Sequence, residues 1–281
     1  MSDFSILFAT IDRSAPWLEP YAHIHHAFSE CKHTGELADW LNDYFAKNHI
    51  APALYGTNRP LYFVSQDDLP HGTAYERHIF ATAHIPTRNN LHDWFGACIW
   101  SVFPKSKAIL NHVHLREMAN NGDKGLRNRV RDAITVFDEN GAILVVSDEN
   151  IGKSLRDFDW YNALVAPRRF WCNPTQPKDD DKAQAFIFGH ALLEQLINPR
   201  KPLCSHTWII KVGDDFFAKS LTEKLTDLDD RLSKELGDWL VDGATPKDLS
   251  PLPILGVPFF WDNASLSFYE DEFVFRRGRK A

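Results

Sequence analysis

Apolar residues recur along this chain mostly at helical intervals. Between residues 16 and 50, Trp17, Tyr21, Ile24, Phe28, Leu37, Trp40, Leu41 and Phe45 alternate with polar residues at close to the 3.6-residue period. That spacing predicts two short helices, broken near His33-Thr34-Gly35. From 91 to 103 the apolar positions are 91, 94, 95, 98, 99, 102 and 103, an i, i+3, i+4 stripe that predicts a helix. Asn89 or Asn90 is its expected N-cap, and Pro104 marks its stop or kink. A second helix, Lys105 to Met118, would carry Lys107, Asn111 and His114 on one face. Ala183–Ile197 and Phe216–Val241 read as further helices, and Tyr75–Ala83 as helix or extended chain.

Strand signals are fewer: Leu61–Ser65, Thr207–Val212, and two β-branched runs at 133–137 and 142–147. The last two flank Asp138-Glu139-Asn140-Gly141, whose Asn-Gly predicts a hairpin. Residues 120–130 and 174–182 read as exposed loops. With neither repeat nor linker visible, the expectation is an α+β fold, a helix-rich single domain over 1–281 with small antiparallel sheet or hairpin elements.

Composition narrows the class. The chain has 281 residues, 44% hydrophobic and 25% charged, with net charge -7. This is the mix of an ordinary globular protein, and its mild acidity argues against a nucleic-acid coat. Cys31, Cys98, Cys172 and Cys204 form no CxxC pair, so neither a zinc ribbon nor a disulfide framework is expected, but reduced, buried thiols. The start, Met1-Ser2-Asp3-Phe4, lacks the basic and long apolar parts of a signal peptide, and no run is long enough to span a membrane. A cytoplasmic protein is expected.

One segment departs from the average. Residues 86–131 hold eight Lys/Arg against three Asp/Glu, a local +5 inside an acidic chain. Arg88, Lys107, Asn111 and Arg131 are the candidate substrate contacts, because guanidinium forks and an ammonium hold anions. His92, Asp93 and Asp132 are the candidate catalytic groups, His92 as general acid or base; against this stands the plainer reading of a buried histidine donating to a backbone carbonyl, with Asp93 capping a neighbouring element. The competing reading is an ion network in which these cations pair with Asp93, Asp132, Asp138 or Glu139. Asp138-Glu139 fits turn chemistry. His190 and Glu194, one helical turn apart, could share a cation with His92 and Asp93, but no spacing such as HExxH appears and no metal or cofactor is assigned. His23, His25 and His26 read as surface residues.

Three strings carry a family resemblance: Pro86-Thr87-Arg88 with Asn90-Leu91-His92-Asp93 and Phe95; Phe103-Pro104 with Lys107 and Asn111; and Arg131-Asp132-Ala133 with Thr135 and Phe137-Asp138-Glu139. With Phe188 to Glu194 and the ending Phe268-Tyr269, Asp271 and Val274-Phe275-Arg276, they resemble a proteobacterial family known as a domain of unknown function. The resemblance covers about 75–277, leaving 1–74 as a helical segment packed onto it. Gly96 stands where that family usually shows Asn, and Phe259-Phe260 where it shows Gly-Trp. The resemblance implies kinship and no mechanism.

No GxGxxG, P-loop, GxSxG or paired CxxC is present, which sets aside the enzyme classes that depend on them. Two expectations remain. One is an enzyme, a hydrolase or group transferase, acting on a small or nucleotide-like anionic substrate in a His/Asp/Arg/Lys pocket. The other is a regulatory module binding nucleic acid or protein through the basic surface at 86–131, with Trp94 and Trp100 as stacking or anchor residues. The first is favoured over nucleic acid. Oligomeric state is not legible.

Overall fold

A computed structural model describes residues 3–31, 35–120 and 129–278. The predicted break at 33–34 and most of the loop at 120–130 lie outside them. Helices α1 (Asp3–Phe8), α2 (Ala22–Ser29) and α3 (Leu37–Lys47) come first. Strand β1 (Tyr62–Ser65), helix α4 (Tyr75–Thr82) and strand β2 (His84–Thr87) follow, with β1 and β2 paired in parallel. Next come α5 (Leu91–Val102), α6 (Pro104–Asn120), α7 (Arg129–Asn140), β3 (Gly141–Val146) and α8 (Glu149–Arg156). The chain continues through β4 (Ala183–Ile187), α9 (His190–Gln195), β5 (Cys204–Lys211), α10 (Leu221–Val241), β6 (Ser250–Pro253) and α11 (Leu266–Tyr269).

The larger sheet runs β4-β3-β5-β6, with β3 and β5 parallel and the outer strands antiparallel to them. Every residue of β3 and β4 is buried, as expected of strands covered on both faces. The fold is α+β and helix-rich with small sheets, but the sheets are not purely antiparallel.

Two local predictions fail for physical reasons. Residues 133–137 are not half of a hairpin. They belong to α7, where Ala133, Ile134 and Phe137 bury one helical stripe and Arg131, Asp132, Thr135 and Asp138 fall on the others. Asn140-Gly141 is the junction where α7 turns into β3. A Cβ on Gly141 would collide with the Phe137 carbonyl, so glycine is required by a close approach. Residues 183–197 are likewise not one helix. β4 ends at Ile187, and Gly189 precedes α9 where a Cβ would strike the Glu139 carbonyl and the Gly141 backbone. The Gly141 carbonyl accepts from both Phe188 N (2.9 Å) and Gly189 N (2.8 Å). The two glycines thus press the start of α9 against the end of α7.

Helices α5 and α6 form as read. Asn90 caps α5, accepting from Asp93 N at 2.8 Å. The buried Asp229 of α10 caps α6, accepting from Lys105 N (3.0 Å), Ser106 N (2.9 Å) and Ser106 Oγ (2.6 Å). One continuous hydrophobic core joins the N-terminal helices to the rest. In it Phe4, Phe8, Phe28 and Trp40 ring Trp94, which is fully buried. Cys98 and Cys172 are buried as expected, whereas Cys31 and Cys204 are exposed. His23 and His26 are exposed, but His25 is 1% exposed within the aromatic cluster. Among the described residues no helix is long and apolar enough to cross a membrane.

Candidate functional site

A cavity of about 400 Å³ opens where α4, α5, α6, α7 and the start of α9 converge beyond the end of β2. Helical phase decides which side chains enter it. Helix α5 contributes His92, Asp93, Gly96 and Trp100; α6 contributes Lys107, Asn111 and His114; α7 contributes Thr135, Asp138 and Glu139. Arg88 stands at the rim, with 54% of its side chain exposed, while Lys107 lies inside at 11%. A Cβ at Gly96 would meet nothing within 4 Å, so a larger residue there would project into open space.

Five of the predicted residues, Arg88, His92, Asp93, Lys107 and Asn111, are brought together. Arg131 and Asp132 are not. They lie at the start of α7, one turn before its cavity-facing positions. Arg131 backs the site, its Nε donating to His114 Nε2 at 3.3 Å. Asp132 stays outside the lining.

The cations are engaged. Arg88 forks onto Asp93 (Nε to Oδ2 3.0 Å, NH2 to Oδ1 2.8 Å), and its backbone N also donates to Asp93 Oδ2 (2.7 Å). These bonds to Asp93 raise the guanidinium pKa, and they make Asp93 the clamp of the turn entering α5. Lys107 Nζ donates to Asp138 Oδ1 at 2.5 Å and lies 5.7 Å from the centre of the Trp100 ring. Burial works to raise the Asp138 carboxyl, but the charge and hydrogen bond of Lys107 outweigh it and hold the group below its ordinary value. Asp138 is therefore an ion-pair partner at the end of a helix, not a turn residue. Across the whole lining, the carboxylates Glu76, Asp93, Asp138 and Glu139 outnumber Arg88 and Lys107. The +5 of the sequence segment does not survive as a basic pocket.

Neighbours on one helix address different partners. Asp93 turns to Arg88, while His92 meets two groups of α9. Its Nδ1 lies 2.9 Å from Glu194 Oε2 and its Nε2 lies 3.0 Å from His190 Nε2. His190 Nδ1 donates to the Asp138 carbonyl at 2.8 Å. Burial, helped by the charges of Lys107 and His92, lowers the His190 pKa to about 4 against the pull of Asp138. In the sequence His190 and Glu194, one helical turn apart, point only to a shared cation. Among the described residues no group of three or more His, Cys, Asp or Glu gathers to hold a metal ion. Asp93 is taken by Arg88, and Glu194 meets the far nitrogen of His92.

Tyr75 and Thr135 were not anticipated. Tyr75 shows 41% of its surface to solvent, yet its hydroxyl end points inward, where burial and then Asp93, Asp138 and Glu76 raise its pKa. No pattern around Tyr75 marks it in the sequence, and Thr135 stands there only as one of the residues that carry the family resemblance, with no role attached. The aromatic anchors imagined for a binding module are unavailable as such: Trp94 is 0% exposed and Trp100, at 4%, lines the cavity.

Comparison with known proteins places the chain in a family without supplying an activity. No curated protein and no solved structure matches it. Residues 61–279 match the family described as "Protein of unknown function (DUF3025)", a span that takes in β1 as well as the region of the resembling motifs. The chain belongs to the DUF3025 family.

Proposed function

We propose that this cavity is an acid–base site in which His92 acts on a small polar substrate, in a hydrolysis or group transfer. The carrying observation is the position of His92: it lines a cavity of small-molecule size, and both its ring nitrogens are in hydrogen-bonded contact, with Glu194 and His190. A histidine so held is oriented before any ligand arrives.

The charge balance refines the expected anionic substrate. Inside the cavity Lys107 is neutralised by Asp138 and carboxylates are in excess, so a polyphosphate would meet repulsion. A single negative charge can be met at the rim by Arg88, whose edge is open. The side chains of Asn111, Thr135 and Tyr75 line the cavity and are available to neutral polar groups. The nucleic-acid reading loses support: Lys105 and Arg88 are paired to carboxylates and Trp94 cannot reach a base.

The test is a panel of chromogenic carboxylic esters, phosphate monoesters and phosphate diesters. The wild-type protein should turn over at least one member, and His92→Asn should lower that rate by about 10²–10⁴-fold with the circular dichroism unchanged. Turnover indifferent to His92→Asn, or no turnover and no binding across the panel, would overturn the proposal.

A further inference from the structure

The hydrogen bonds around His92 and His190 have a forced direction. A backbone carbonyl only accepts, so His190 Nδ1, 2.8 Å from the Asp138 carbonyl, carries a hydrogen. The Asp138 carboxylate, 3.8 Å from the same nitrogen, favours that placement. Burial keeps His190 neutral, which leaves its Nε2 as a lone pair. The His92 Nε2 facing it at 3.0 Å must then be the donor. On the other side of His92, Nδ1 lies 2.9 Å from a Glu194 oxygen. Two lone pairs cannot hold each other there, so one more proton lies between them, and imidazoles as a class bind a proton more tightly than carboxylates.

We infer that His92 rests as the acid and His190 as the base of a single pair, and that the group they address is a hydroxyl or water inserted between their Nε2 atoms. This rests on the acid–base reading of the cavity and names the chemistry of its ligand. A hydroxyl is what such a pair fits: its oxygen accepts from His92 Nε2–H while its hydrogen is donated to His190 Nε2. Neither ring has another free nitrogen, so the ligand enters by opening this one contact. Glu194 is a positioning residue, holding the charge on His92 from outside.

The proton count closes over one hydrolysis. Water, or a substrate hydroxyl, gives its proton to His190 Nε2 as its oxygen attacks the acyl or phosphoryl centre. As the new bond forms, His92 Nε2–H turns from the attacking oxygen to the departing one on the same centre, and gives it its proton as that bond breaks. His190 is then the cation and His92 is neutral. When product leaves, the rings meet again and the proton returns from His190 Nε2 to His92 Nε2 across the direct contact. The surroundings drive that return. His92 faces the Glu194 carboxylate, with Asp93 and Arg88 paired to each other beside it, while His190 faces Lys107 as well as Asp138.

Ring protonation can be read without a substrate. In protein labelled with nitrogen-15 histidine at neutral pH, two-bond proton–nitrogen correlations report which ring nitrogens carry hydrogen, and His92→Asn and His190→Asn assign the signals. The expected result is a doubly protonated His92 and a neutral His190 with its hydrogen on Nδ1. In Glu194→Gln, His92 should lose its second proton while His190 keeps its tautomer. A neutral His92 in the wild type, or a hydrogen on His190 Nε2, overturns the assignment. So does a His92 still doubly protonated in Glu194→Gln. Should Glu194→Gln not fold, the wild-type spectrum decides alone. Because no turnover is involved, failure here is distinct from failure of the enzyme reading, which the substrate panel tests.

Discussion

His25 offers a direct test of how the N-terminal helices are held. Both its ring nitrogens are buried without a hydrogen-bond partner among the described residues, and its ring packs on Phe8, Trp94 and Phe95. Burial first, and the charge of Arg13 second, lower its pKa from 6.5 to about 4. Above pH 6.5 the ring is neutral in folded and unfolded chains alike, and no penalty applies. As pH falls below 6.5 the unfolded chain takes up a proton that the folded protein refuses until about 4, so stability falls through that window and then levels off. The gap is worth about 3 kcal/mol in full, of which about 2 kcal/mol is lost between pH 7.5 and 5.0.

His190, also lowered to about 4, and His112 and His206, lowered by burial, act in the same direction. The informative quantity is therefore the difference between wild type and His25→Leu. Urea unfolding followed by tryptophan fluorescence suits the purpose, since the Trp94 ring centre lies 5.4 Å from that of His25. Wild type should lose about 2 kcal/mol more than His25→Leu on going from pH 7.5 to 5.0. Equal losses in the two proteins would refute the argument.

Other substitutions probe the site and its supports. Gly96→Ala should stabilise by about 1 kcal/mol in urea unfolding, because a helix-interior glycine gains a Cβ that meets nothing; a loss of stability would show that the open space is not there. Lys107→Met should cost about 3 kcal/mol by stranding Asp138, with Asp138→Leu added to it restoring part of the loss; additive losses in the double variant would count against a real pair. Gly141→Ala should cost about 4 kcal/mol or more, since its Cβ would strike the Phe137 carbonyl. A mild effect at 141 would mean that α7 and β3 join differently.

What could be read from the residues was what is local. The α5 stripe, its Asn90 cap and the shared face of Lys107, Asn111 and His114 each depend on spacings of eight residues or fewer, and all stand in the structure. The same locality misled at 133–141, where a β-branched run before Asn-Gly imitates a hairpin. Burial of Ala133, Ile134 and Phe137 against the sheet overrides that propensity. At the site, His92 stood out by its chemistry, but its partners lie about a hundred residues downstream. That contact depends on Gly141 and Gly189 letting two chain segments touch, which no periodicity reports. The basic excess at 86–131 was real in sequence. Folding brings in Glu76, Asp138 and Glu139 from elsewhere and reverses its sign in the cavity.

The central claim is that His92 and His190 work as one acid–base pair. It is tested by the rates of His92→Asn, His190→Asn and the double variant on whichever ester or phosphoester the wild-type protein turns over. Each single variant should lose about 10²–10⁴-fold, and the double variant should lose no more than the worse of the two, because half a pair moves no proton. Independent losses that multiply in the double variant, or a wild-type rate in either single variant, would contradict it.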